Sequence, residues 1–241
     1  MWLNGGPGCS SSTGLLTELG PCAVANGGKE TKYNEYSWNS NANLLFLDQP
    51  INVGYSYSDS DTVNNTPVAA DDVYAFLQIF FKHYKQYAKL PFSIAAESYG
   101  GRYAPLIADV INNHNKLEKS INVSKNKDSF KHINLESILL GNGLTNPLIQ
   151  FPAVYDYACH GPYEIFDPNG GECRNLKSKA STCEKLVDTC YKINSRFTCL
   201  PAALYCWSGL YGGFQQLGLN PYDVRRTCDH DKDGDLCYEV S

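Results

Sequence analysis

The chain has 241 residues, 43% of them hydrophobic, with a formal net charge of −5. That is material for one large core or for a core with an appended part. The acidic balance argues against a nucleic-acid or anionic-membrane partner, and no apolar run has the length to span a bilayer.

The opening MWLNGGPGC carries neither a basic leader nor an apolar signal region. MWL looks like the tail of a buried strand, so the chain is expected to lack its true N-terminus. Asn43–Leu47 (NLLFL) is a short apolar run before the turn-like Asp48-Gln49-Pro50. Thr66 is expected to N-cap a helix with Pro67 at its first position. Val73, Phe76, Leu77, Phe80, Phe81 and Tyr84 then recur at helical spacing. A strand over Phe92–Ala96, a helix over Gly101–Asn113 and a strand over Ser137–Leu140 follow. With Asn43–Leu47 as the first strand, the order strand, helix, strand, helix, strand implies a parallel α/β sheet in residues 1–147.

Residues 148–241 change to loops, aromatics and cysteines. Eight of the ten cysteines fall between Cys159 and Cys237, a density that implies disulfides and an oxidising compartment. The sequons at Asn64 and Asn122 agree with that compartment. Cys183 and Cys190 are seven apart, as are Cys199 and Cys206, so each pair shares one helix face. With a turn over Tyr191–Phe197, a helical hairpin would bring Cys183 to Cys206 and Cys190 to Cys199. Cys159–Cys173 and Cys228–Cys237 then close local loops, one connectivity among several that the spacing allows.

Two features could carry chemistry. In Ala96-Glu97-Ser98-Tyr99-Gly100 a strand runs into a turn and then a helix, the context of a nucleophile elbow. The plainer alternative is a strand-to-helix turn with a serine cap. Asn4-Gly5-Gly6-Pro7-Gly8 could aim backbone N–H groups at an oxyanion, or could be a tight turn requiring glycine. It fits neither a phosphate loop nor a dinucleotide fingerprint. Glu97 poses a question, because a carboxylate beside a serine that must develop negative charge is unfavourable.

WLNGGPGCSS (2–11), ELGP (18–21), SWNSNANLLFLDQP (37–50), NVGYSYS (52–58), AESYGGRYAP (96–105) and GNGLTNP (141–147) together resemble the serine carboxypeptidases, most closely the fungal vacuolar carboxypeptidase Y group. The resemblance implies an α/β-hydrolase fold with a disulfide-stapled helical cap, no metal or organic cofactor, and peptide C-termini as substrate. It makes Ser98 the nucleophile and gives the oxyanion hole to the N–H groups of Gly6 and Tyr99. Asn4, Glu18 and Glu97 would bind the substrate's terminal carboxylate. Packed carboxyls share protons, so Glu97 would donate a hydrogen bond at acidic pH instead of repelling the peptide end. Tyr99 and Leu144 would line the pocket for the penultimate side chain, and Thr13 and Thr17 would flank the terminal one. An aromatic usually stands at the position of Thr17. Residence in the vacuole, or alternatively secretion, follows from the same resemblance.

The family's triad Asp and His lie far downstream of its serine, and neither has a counterpart in this chain. His83, His114, His132, His160 and His230 all lack the expected position after a strand. The reading is therefore a fragment of an acyl-enzyme carboxypeptidase. A truncated, non-catalytic product is the alternative, and an acyltransferase the third choice. Cys9 matches a family cysteine whose partner lies downstream, and Cys22 has no counterpart. Asp229–Asp235 begins like a calcium-binding loop, but position twelve is Val240, which favours an acidic surface loop.

Overall fold

The computed structural model describes residues 1–120, 131–163, 165–215, 217–220 and 222–229. They divide into two compact units, residues 1–145 and residues from 146 onward.

The first unit is built on a parallel three-stranded sheet. Strand β1 (Trp2–Leu3) leads into a π-helical turn at Gly14–Glu18 and an antiparallel ribbon, β2 (Cys22–Ala25) with β3 (Glu30–Tyr33). Helix α1 (Thr66–His83), strand β4 (Phe92–Glu97), helix α2 (Gly100–Ser120) and strand β5 (Leu135–Gly141) follow. The sheet order is β1-β4-β5, with Leu3 opposite Ala96 and Ile94 opposite Ile138. Parallel neighbours need a crossover, and α2 supplies the one between β4 and β5. Leu77, Ile107 and Ile111 of the helices are buried with Leu3 and Ile94 of the strands in one core. It is this packing that fixes where β4 ends, and so where Ser98 stands.

Two expectations are corrected. Asn43–Leu47 is not a regular strand: it makes a single parallel bridge, Phe46 to Trp2. Strand β1 is two residues long, so there is backbone for Trp2 N–H to reach Leu45 C=O (2.8 Å) but little beyond. The cap of α1 is Asn65 rather than Thr66. The Asn65 side-chain oxygen accepts from Val68 N–H at 3.0 Å, three residues into the helix as a cap should. Thr66 Oγ1 instead lies 3.3 Å from Tyr99 Oη.

In the second unit α3 (Pro147–Gln150), α4 (Ala153–His160), α5 (Gly171–Lys192) and α6 (Arg196–Gln215) surround a small core. Cys183–Cys206 and Cys190–Cys199 staple α5 to α6 in two nested rungs, with Cα separations of 5.1 and 4.7 Å. Cys159–Cys173 ties α4 to α5. A short ribbon, β6 (Leu219–Asn220) with β7 (Asp223–Thr227), precedes Cys228, which is disulfide-bonded; Cys237 lies outside the described residues. Replacing Cys183 and Cys206 together by serine is expected to destabilise this unit by about 2–4 kcal/mol in urea unfolding, the usual loss for a loop of this size. Asn65→Ala is expected to remove about 1 kcal/mol. Thr66→Ser, which preserves the sequon at Asn64, should stay within about 0.5 kcal/mol.

Candidate active site

Ser98 is exposed and sits at φ +56°, a left-handed conformation that a non-glycine residue holds only when its surroundings over-determine it. They do. Its N–H donates to Gly141 C=O at the end of β5 (3.0 Å). Its own C=O accepts from both Gly101 N–H (3.0 Å) and Leu144 N–H (2.8 Å). Small neighbours allow the sharp turn: a Cβ on Gly100 would lie 2.5 Å from that of Ala96. With alanine at the first motif position, position 100 therefore has room only for glycine. Pro105 cannot donate to Gly101 C=O in α2, and Thr145 Oγ1 takes that place at 3.4 Å, holding the Leu144 loop against the helix.

The glycine loop lies directly on this elbow. A Cβ at Gly5 would meet Tyr99 N at 2.5 Å and Glu97 O at 2.7 Å, so no larger residue fits. Gly6 has φ +111°, and Gly8 N–H donates to Tyr103 Oη at 3.1 Å. Among the described residues the N–H groups of Gly6 and Tyr99 make no hydrogen bond. Two uncommitted backbone donors beside an exposed serine are the raw material of an oxyanion hole.

Asn4, Glu18 and Glu97 converge beside Ser98. Asn4 is buried, and its Oδ1 accepts from Trp2 Nε1 (2.8 Å) and Gly14 N–H (2.9 Å). With the oxygen so occupied, Nδ2 must face the carboxyls, and it donates to Glu18 Oε1 at 3.1 Å and Glu97 Oε2 at 3.5 Å. Burial first, then the charge and hydrogen bond of neighbouring Glu18, push the Glu97 carboxyl above the ordinary glutamate range. The π-turn that presents Glu18 starts at Gly14, where a Cβ would strike the Trp2 indole. Thr13 and Thr17 belong to the same turn, with Thr17 Oγ1 donating to Thr13 C=O at 2.8 Å.

The described histidines are engaged elsewhere. His114 stacks on Tyr74, His132 faces Glu118, His160 bonds Tyr155, and His83 packs on Tyr84. None is hydrogen-bonded to Ser98; His230 lies outside the described residues, as does all of the acidic loop beyond Asp229. Asn64 is exposed, Asn122 is outside the described residues, and Cys9 and Cys22 are free thiols. Sequence reasoning passed over Trp2, Ser11, Asp48 and Tyr103. Their neighbours in the motifs WLNGG, GCSS, FLDQP and GGRYAP were the available signal, since a side chain that orients another has no signature of its own.

A family model described as serine carboxypeptidase matches residues 1–238. The chain belongs to the serine carboxypeptidase family. It is 46% identical over 239 residues to carboxypeptidase Y homolog A of Ajellomyces capsulatus, covering 99% of this chain and 40% of that protein. The homolog from Arthroderma otae is 47% identical over 240 residues, 99% of this chain and 41% of the relative. The solved structure of a prohormone-processing carboxypeptidase from Saccharomyces cerevisiae superposes with a TM-score of 0.74 at 28% identity, over 97% of this chain and 49% of that one. The fold is thus that of the α/β-hydrolases, and the chain spans about two-fifths of the length of these curated relatives. For this serine carboxypeptidase elbow, Gly100→Ala is expected to lower stability by about 1–3 kcal/mol. Adding Ala96→Gly should restore part of that loss in a double-mutant cycle, whereas simple additivity would contradict a direct clash.

Proposed function

We propose that the whole protein is a serine-type carboxypeptidase that releases C-terminal residues from peptides and proteins at acidic pH. The observation carrying this reading is the oriented Asn4 amide between two carboxyls, Glu18 and Glu97, next to a serine held at positive φ. Such a cluster, with the Glu97 proton retained, offers N–H and O–H donors to a carboxylate, and the peptide end that presents one beside a scissile amide is a C-terminus.

In this reading the terminal carboxylate docks on Asn4, Glu18 and Glu97. Ser98 Oγ attacks the adjacent carbonyl carbon, and Gly6 and Tyr99 N–H groups receive the developing oxyanion. Collapse releases the C-terminal residue and leaves an acyl ester on Ser98, which water then cleaves. Tyr99 and Leu144 flank the side chain before the cut, and Thr13 and Thr17 the side chain after it. The base that takes the Ser98 proton and passes it to the leaving amine, with its aspartate, is assigned to the family's later segments. Residues 1–147 would be the hydrolase core and 148–241 a cysteine-rich cap. Residence in the vacuole by the secretory route, with glycans on Asn64 and Asn122, is the matching location, and secretion the alternative.

The second reading is a product that binds peptide ends without cleaving them. The mass of the deglycosylated endogenous protein and its C-terminal peptide sequence separate the two. Peptides with free C-termini should be trimmed and their amides left intact, and equal cleavage of both would sink the carboxylate-reading site. Ser98→Ala should reduce kcat by a factor on the order of 10⁶.

The pH dependence follows from the raised Glu97 carboxyl. Below its raised pKa Glu97 is neutral and donates; as pH rises through that pKa it ionises, and both the site's electrostatic stability and its peptide affinity fall. Peptide KM should climb toward about tenfold per pH unit once Glu97 is ionised. Glu97→Gln should remove most of that slope. A wild-type KM that stays constant between acidic and neutral pH would falsify this role.

A further inference from the structure

Asp48 lies in the FLDQP segment, before the loop of residues 50–58, and hydrogen-bonds to none of the groups assigned to substrate. Its carboxylate nevertheless collects three donors. Oδ1 accepts from Ser10 Oγ at 2.6 Å and Ser11 N–H at 2.8 Å, and Oδ2 accepts from Tyr55 N–H at 2.9 Å. Its backbone C=O accepts from Ser56 Oγ at 2.7 Å. Ser10 and Ser11 follow the glycine loop after Cys9. Ser11 is buried, accepting from Asn4 N–H at 3.2 Å and donating to Leu47 C=O at 2.6 Å. Gly54 is at φ +57°, and a Cβ there would strike Asp48 Oδ2, so the loop closes tightly over the carboxylate.

We propose that Asp48 is the positioning residue of the substrate site, clamping residues 50–58 to the turn at Ser10–Ser11 and through Ser11 fixing the backbone of Asn4. The proposal rests on the functional reading above. Asn4 joins the group that reads the carboxylate to the glycines that supply the oxyanion donor, so one clamp sets both ends of the scissile bond. Charge-assisted bonds suit the task because they are shorter and stronger than neutral ones. Burial raises the Asp48 carboxyl, but hydrogen bonds from Ser10, Tyr55, Ser11 and Ser12 together outweigh it and hold the group below its usual range, which favours the ionised clamp.

The test uses the whole protein, with functional sites counted by a fluorophosphonate that titrates Ser98. Asp48→Ala should raise KM for a free-carboxylate peptide and lower kcat, each about tenfold per titrated site. Asp48→Asn keeps an oxygen for Ser10 and Ser11 but turns its NH2 toward Tyr55 N–H, so both values should fall between those of Asp48→Ala and wild type. A residue needed only for folding would lower the number of titrated sites and leave KM and kcat per site unchanged, and that result overturns the proposal. So does an Asn variant no better than Ala. If Asp48→Ala does not fold, Ser10→Ala removes a single bond and should still raise KM about threefold; unchanged constants overturn the clamp. Wild-type protein that ignores free-carboxylate peptides would fail the functional reading instead. The rate of Ser98 phosphonylation, slower in Asp48→Ala if the oxyanion donors are displaced, then tests the clamp without any peptide.

Discussion

The side-chain amide of Asn4 can point only one way. Trp2 Nε1 and Gly14 N–H both donate to its oxygen, so its nitrogen is committed to Glu18 and Glu97. Had the amide been free to flip, two carboxyls would face an acceptor and the cluster would repel itself. Trp2 is on the first strand, Gly14 opens the π-turn and Glu97 ends the central strand, so the amide joins three separate elements. Burying the amide is favourable because its oxygen and nitrogen both find partners.

Two carboxyls near the site are driven in opposite directions by their surroundings. Glu97 has burial and another carboxyl against its charge, and its affinity for a proton rises. Asp48 is also partly desolvated, but hydroxyl and backbone N–H donors outweigh that and its proton affinity falls. An acidic medium therefore leaves one as a neutral donor and the other as an ionised acceptor. The same residue class serves recognition in one place and architecture in the other.

Strain and close approach concentrate where the chemistry is assigned. Ser98 is held at positive φ by hydrogen bonds to both of its peptide groups, Gly5 leaves no room for a side chain against the elbow, and Ala96 and Gly100 meet at the limit of their size. The core of Leu3, Leu77, Ile94 and Ile107 gives these positions their rigidity, since a packed interior does not yield to relieve a turn. The second unit obtains its rigidity differently: a small helical core is crossed by disulfides that shorten its unfolded chain.

Much of this was legible from sequence where the determining physics is local. Seven-residue cysteine spacing predicted the rungs of the α5–α6 hairpin, because helical periodicity alone puts those side chains on one face. The small residues around Ser98 marked an elbow, because the turn itself demands them. The strand–helix alternation implied a parallel sheet, because parallel neighbours require crossovers. Tertiary structure decided the rest. Whether NLLFL became a strand depended on the length of its partner, and the cap of α1 fell to Asn65 while Thr66 came to lie beside the Tyr99 hydroxyl. The direction of the Asn4 amide and the donors around Asp48 were likewise invisible in one dimension. Each depends on which groups meet across tens of residues, and hydrogen bonds made at that range leave no periodicity or spacing in the chain.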